Sequence, residues 1–226
     1  MKITWLGQAG LLFETQGKKI LIDPYLSNSV VKIEPQNYRR VPVDERFLQI
    51  TPDMVVITHN HADHLDKETL CHYLSQDSSV TVLAPSGAWQ EVRKFGGRKN
   101  NYILFNNGTT WTEDFAQFRA VKAEHSDENA IGVIISAEDK NYYITGDTLY
   151  SEKVFESLPK IKFDAVFLPI NGKGNNMNMQ DAARFCERLK TRAVPLHFGM
   201  FDAINPSAFS YENKIIPVCY GEIKGV

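Results

Sequence analysis

Cysteine is scarce in this chain: only Cys71, Cys186 and Cys219 occur among 226 residues. An odd number at such wide spacing makes neither a disulfide framework nor the paired spacing of a zinc knuckle. The three thiols are therefore expected to be reduced and mostly buried, Cys71 within a helix. Long apolar runs are also missing. No segment approaches the ~18 consecutive apolar residues of a membrane span. The opening residues Met1 to Gln8 carry no extended apolar stretch and no small-residue cleavage site, and a cytoplasmic protein is the expectation. Nor is there an excess of charge of either sign, since 25 Lys and Arg against 27 Asp and Glu leave −2. That balance supplies no global attraction to nucleic acid or an anionic membrane. The local basic clusters, Tyr38-Arg39-Arg40 and Arg93-Lys94 with Arg98-Lys99, read as solvated surface. No linker, repeat or low-complexity tract divides the chain. Residues 1–226 are read as one domain, and 43% hydrophobic content is enough to build its core.

What the chain does have is concentrated chemistry. Residues 58–64 read Thr-His-Asn-His-Ala-Asp-His, placing His59, His61, Asp63 and His64 within six positions. The cluster follows Met54-Val55-Val56-Ile57, a β-branched run that reads as a buried strand. Crowding imidazoles and a carboxylate onto one loop is costly unless they bind something, and that mixture suits a transition metal. A lone histidine would be read as an ordinary polar residue; this quartet is read as metal-binding.

The surrounding pattern is mixed α/β. Strands are predicted at Lys2–Leu6, Leu11–Thr15, Lys19–Asp23, Met54–Thr58 and Val80–Ala84. A second batch covers Gln117–Ala123, Gly132–Ser136, Asn141–Thr145, Ala165–Leu168, Ala193–Leu196 and Ile215–Cys219. Helices are predicted after Asp66, after Ser86 with a stop at Gly96-Gly97, and from Met179 to Lys190, where Ala182, Ala183, Cys186 and Leu189 share a face. Two batches of strands with interspersed helices imply two mixed sheets packed face to face with helices outside. Ser27–Gln49 is the least regular stretch and is expected near a substrate mouth.

Three further residues join the metal candidates. His125 and His197 each follow a predicted strand, at the kind of edge where open sheets present ligand-binding groups. Asp147 follows the strand ending at Thr145, and two roles compete for it: capping a helix through Val154 and Phe155, or joining two cations with its two oxygens. His72 lies mid-helix and reads as structural.

Taken together, His59-x-His61-x-Asp63-His64, His125, Asp147 and His197 resemble the metallo-β-lactamase superfamily. The flanking words Trp5-Leu6-Gly7-Gln8-Ala9, Leu21-Ile22-Asp23-Pro24, Thr145-Gly146-Asp147-Thr148 and Leu168-Pro169-Ile170-Asn171-Gly172 look like its ascorbate-6-phosphate lactonase-like branch. The resemblance implies an αββα sandwich. It gives His59, His61 and His125 to one divalent ion, Asp63, His64 and His197 to a second, and Asp147 to both. Zn²⁺ is the first expectation and Mn²⁺ the second. Two such ions share a hydroxide that attacks an electrophile, with Asp63 orienting it or moving a proton. Gln8, Asp23, Asn171 and Lys173 are candidate substrate contacts, and Arg39 and Arg40 are not expected to clamp an anion.

The leading expectation is a hydrolase of a small polar ester, a sugar-acid lactone or phosphoester. Its partner would be a small molecule, neither nucleic acid nor membrane, with room left for a homo-oligomer. A phosphodiesterase or nuclease on the same scaffold is the alternative enzyme class. A non-catalytic metal-binding domain is the alternative outside enzymes. Di-iron redox chemistry would want a carboxylate where His61 stands.

Overall fold

A computed structural model describes residues 1–226. Twelve strands form two six-stranded sheets, each with its strands in chain order. The first holds β1 (Lys2–Gly7), β2 (Gly10–Thr15), β3 (Lys18–Ile22), β4 (Met54–Val56), β5 (Thr81–Ala84) and β6 (Asn101–Leu104). It begins as an antiparallel meander and becomes parallel from β3 onward. The second holds β7 (Thr110–Glu113), β8 (Ala116–Lys122), β9 (Ile131–Ala137), β10 (Lys140–Ile144), β11 (Ala165–Pro169) and β12 (Arg192–Leu196). It is antiparallel through β10 and parallel across β11 and β12. Helices α1 (Lys67–Leu74), α2 (Ser86–Phe95), α3 (Glu152–Ser157) and α4 (Met179–Leu189) complete the chain, giving the αββα sandwich.

The uniformly apolar strands are explained by their two faces. Successive strand residues point to opposite sides of a sheet. In β3 and β4, Ile20, Ile22, Met54 and Val56 point into the core between the sheets. Their alternates Leu21 and Val55, with Ile57 just beyond β4, point into a second core with Leu70, Tyr73 and Leu74 of α1 and Ala88 and Val92 of α2. Phe13 anchors the inter-sheet layer, meeting Tyr142 and Phe167 edge-on at 6.0 and 5.9 Å.

Helix ends follow their caps. Asp66 accepts from the Glu68 and Thr69 amides, and Asn178 from those of Gln180 and Asp181. Ser86 is the first residue of α2 rather than its cap: Pro85 precedes it, and the Ser86 hydroxyl instead donates to Asn106 and Asn129. Residues Ile215–Cys219 form no strand, and only Lys214 makes a single bridge, to Ala193. Pro217 lacks the amide hydrogen a ladder needs. The edge strands β6 and β7 had no counterpart in the sequence pattern.

The segment 24–50 is held down at several points. Ser29 donates to Asp66 at 2.8 Å, His72 meets the Leu48 carbonyl at 2.6 Å, and Tyr73 donates to the Phe47 carbonyl at 2.6 Å. Arg39 is not solvated surface: its guanidinium donates to the Tyr25 and Val41 carbonyls and to the Tyr220 hydroxyl, at 2.6, 3.1 and 2.7 Å. Arg40 is exposed and lies over the Tyr38 ring. Cys186 is buried, while Cys71 and Cys219 are only partly so.

Candidate functional site

Parallel strands carry their C-terminal ends to one edge, and that edge collects the chemistry. Beyond β4 the chain passes through Thr58 into His59–His64, and beyond β8, β10 and β12 come His125, Asp147 and His197. The two sheets are stitched together here, where the Ile131 amide donates to the Thr58 carbonyl at 3.0 Å. Gly146, at φ +62°, makes the closest approach. A Cβ there would lie 2.7 Å from the Ile131 carbonyl oxygen and 3.1 Å from Thr58 Cβ, so only glycine brings Asp147 alongside the histidine loop.

The structure brings all seven candidate ligands together. His59, His61 and His125 pack as three rings with centroids 4.6 to 4.8 Å apart, each pair edge to face. Donor atoms of that trio lie within 4.8 Å of one another, as do those of His59, His64 and Asp147 and those of Asp63, His64 and His197. Asp147 Oδ2 is 3.4 Å from His64 Nε2 and 3.2 Å from His197 Nε2. Asp147 caps no helix, because α3 starts at Glu152 behind Ser151.

Contacts behind the imidazoles settle which nitrogen faces the centre. Asp23 Oδ2 takes His64 Nδ1 at 2.8 Å and the Thr58 hydroxyl at 2.6 Å, while its Oδ1 accepts the Thr58 amide at 2.8 Å. His59 Nδ1 meets Thr58 Oγ1 at 3.0 Å, and His125 Nδ1 meets the Asn175 carbonyl at 3.2 Å. Such partners orient a ligating ring and fix its tautomer. Asp127 Oδ2 accepts the Asn60 amide at 3.1 Å, bracing the loop between His59 and His61.

This donor set fits divalent cations. His59 Nε2 and His64 Nε2 are fully buried and have no hydrogen-bond partner. An orphaned buried nitrogen is costly, and here two of them point into a space bordered by carboxylates. The electrostatics agree. Burial, then the neighbouring His64, pushes the His59 pKa well below that of a free histidine, and burial likewise lowers His125. Burial opposes charge on His64 too, but Asp147, Asp63 and Asp23 outweigh it and hold that pKa well above the usual value. At His197, Asp147 and Asp63 overcome burial and raise it to about 10. Asp147 stays ionised because His197 and His64 override its burial. Cations bound there would compete with protons for these groups.

The site floors a cleft of about 610 Å³, lined among others by Gln8, Glu34, Asn60, Asn171, Lys173 and Asp202. Val30, Ile33, Glu34 and Asn37 place the irregular segment at its mouth. Gln8 reaches the cleft, where its amide nitrogen donates to Asp63 Oδ2 at 2.8 Å and lies 3.2 and 3.1 Å from His197 Nδ1 and Nε2. Asn171 Nδ2 lies 3.0 Å from His197 Nδ1. Lys173 is exposed and in no ion pair, the one lysine or arginine of the lining. Asp23 is not a substrate contact: it is 1% exposed and turned onto His64 and Thr58. Sequence reasoning missed Thr58, Asp127 and Asn176. Asp127 lies two residues past His125, the only signal that marked it.

Comparison with known proteins agrees with this geometry. Residues 18–198 match the family model described as beta-lactamase superfamily domain. A Flavobacterium johnsoniae protein named "UPF0173 metal-dependent hydrolase" is 31% identical over 217 residues, covering 90% of this chain and 87% of the relative. YtkL of Bacillus subtilis, given the same family name, is 29% identical over 231 residues, with 93% and 92% covered. Among solved structures, a possible metal-dependent hydrolase from Veillonella parvula superposes with a TM-score of 0.80 at 19% identity, over 99% of this chain and 98% of its own. An isothiocyanate hydrolase from Delia radicum gut bacteria superposes at 0.76 and 19%, with the same coverage. Fold, family model and relatives converge: the chain belongs to the β-lactamase superfamily, in the family of metal-dependent hydrolases.

Proposed function

We propose that the chain hydrolyses a small polar ester, a sugar-acid lactone or a phosphoester, at a centre of two divalent cations. His59, His61 and His125 would hold one ion, Asp63, His64 and His197 the other, and Asp147 both. The observation carrying this reading is the pair of buried, unpartnered nitrogens, His59 Nε2 and His64 Nε2, facing carboxylates at the floor of an open cleft. Divalent ions held there supply Lewis acidity and a water acidic enough to ionise near neutrality. Imidazole-rich coordination favours Zn²⁺, and the carboxylates admit Mn²⁺.

The chain's own groups do the rest. Asp63 Oδ2, steadied by Gln8, orients the attacking water and carries its proton to the leaving group. Lys173, unpaired in the lining, holds an anionic group of the substrate. The cleft suits a small molecule better than a polynucleotide, because one lysine stands against Glu34 and Asp202 and no phosphate-tracking surface results. No helix is long and apolar enough to cross a membrane. The reading further takes residues 1–226 as one domain acting in the cytoplasm.

Elemental analysis of the purified protein followed by a hydrolysis screen tests the proposal. The screen spans lactones, phosphomonoesters, phosphodiesters, RNA, thioesters and, after the fold neighbour, an isothiocyanate. Stoichiometric metal with chelator-sensitive turnover of a lactone or phosphomonoester supports it. Turnover of only phosphodiesters or RNA favours the nuclease class, and metal without turnover favours a binding domain.

A further inference from the structure

The loop from Asn171 to Asn178, between β11 and α4, touches donors carried by three different strands. It is pinned shut by an Asn171–Asn178 bridge and a Gly172 amide bond to the Met177 carbonyl at 3.1 Å. Met177 ties it to the Thr148 carbonyl at 2.8 Å. From this frame the Asn175 carbonyl reaches His125 Nδ1, Asn176 Nδ2 donates to Asp147 Oδ2 at 2.8 Å, and the Asn171 amide meets His197 Nδ1. One short loop thus contacts the imidazole trio, the carboxylate cluster and the aspartate between them.

We propose that this loop keeps the two donor clusters in register, with Asn176 as the positioning residue for Asp147 and Asn171 for His197. The inference rests on the metal-centre reading above. Asp147 must face both clusters at once, and an aspartate side chain rotates unless something fixes it. Asn176 is 5% exposed, so its NH₂ is held against Oδ2 where water cannot compete. A neutral amide also fixes that oxygen without neutralising it, as a lysine would, and leaves the full charge for cations. A purely structural asparagine would bond at both ends. Asn176 Oδ1 is buried with no partner, and the loop closes through backbone bonds that do not need the side chain.

Asn171 Oδ1 is orphaned in the same way. Reversing that amide, a choice that hydrogen-bonding logic decides, lets Oδ1 accept from His197 Nδ1–H. Nε2 is then the ring nitrogen left beside Asp63 and Asp147, at 3.3 and 3.2 Å.

The test measures metal rather than turnover alone. Zn²⁺ affinity by chelator competition and the visible spectrum of the Co²⁺-loaded protein are compared in wild type, Asn176→Ala and Asn171→Ala, with folding checked by near-ultraviolet circular dichroism. Each folded variant is expected to bind Zn²⁺ about 10–100-fold more weakly, with a shifted Co²⁺ spectrum and a fall in kcat larger than any change in KM. Wild-type affinity and spectrum in the folded variants overturn the inference while leaving the hydrolase reading intact. A wild-type chain that binds neither Zn²⁺ nor Mn²⁺ overturns both. Asn171→Ala removes no bond that closes the loop, so it decides the question if Asn176→Ala does not fold.

Discussion

The two donor clusters are built differently. His59, His61 and His125 are imidazoles alone, and His61 and His125 are partly open to the cleft. Their supports are a hydroxyl, a backbone carbonyl and the Asp127 brace. The cluster of Asp63, His64 and His197 mixes charge with imidazole, and His64 is wholly buried. Its supports are side chains: Asp23 on His64, Gln8 on Asp63 and Asn171 beside His197. One cluster is thus held chiefly by the course of the chain, the other by a network of chosen side chains. The difference teaches that damage should spread unequally, since a network transmits the loss of one member and a backbone turn does not.

Breaking what the clusters share should do the most harm. Asp147→Ala is expected to cut turnover at least roughly 10²–10³-fold, the scale on which loss of one transition-state contact is felt, and to lower metal content. Full activity with full metal would show that Asp147 belongs to neither cluster. Next come the two braces. Asp23→Ala strips both His64 Nδ1 and the Thr58 hydroxyl of their acceptor and should weaken metal binding about 10–100-fold. Asp127→Ala touches backbone amides only and should fall below that range. Equal losses, by chelator competition, would erase the contrast between the clusters.

Donor chemistry sharpens it further. Titrated into metal-free protein, Zn²⁺ should fill the all-imidazole trio first, and Mn²⁺ the cluster that offers carboxylates. His61→Ala should therefore depress Zn²⁺ uptake more than Mn²⁺ uptake, read by elemental analysis. The same preference for both ions would mean that the clusters differ in support but not in character.

The imidazole trio was the more legible of the two. Three histidines on one loop announce themselves, and the strand before them is apolar on both faces because two cores flank it. Asp147 was ambiguous because aspartate serves equally as cap and ligand; only the position of Ser151 decides against the cap. Asp23 reads as a substrate contact in the sequence because a carboxylate at a strand end has no direction there, and its φ of 43° turns it inward. Asn176 carried no signal at all, since an amide acquires a role only from the carboxylate folded against it. Among the strands, β6 and β7 escaped notice as half-exposed edges, while Ile215–Cys219 looked like a strand until Pro217 is considered.

The smallest expected effect lies outside both clusters. Lys173 stands on the rim without an ion pair, and an exposed pair with substrate is worth only about 0.2–1 kcal/mol. Lys173→Gln should raise KM for an anionic substrate roughly two- to fivefold by that same scale, with kcat unchanged, because the contact is equally present before and during reaction. For a neutral ester of the same leaving group KM should not move. A fall in kcat instead would place Lys173 in the chemistry, joining the rim to the donor clusters at the cleft floor.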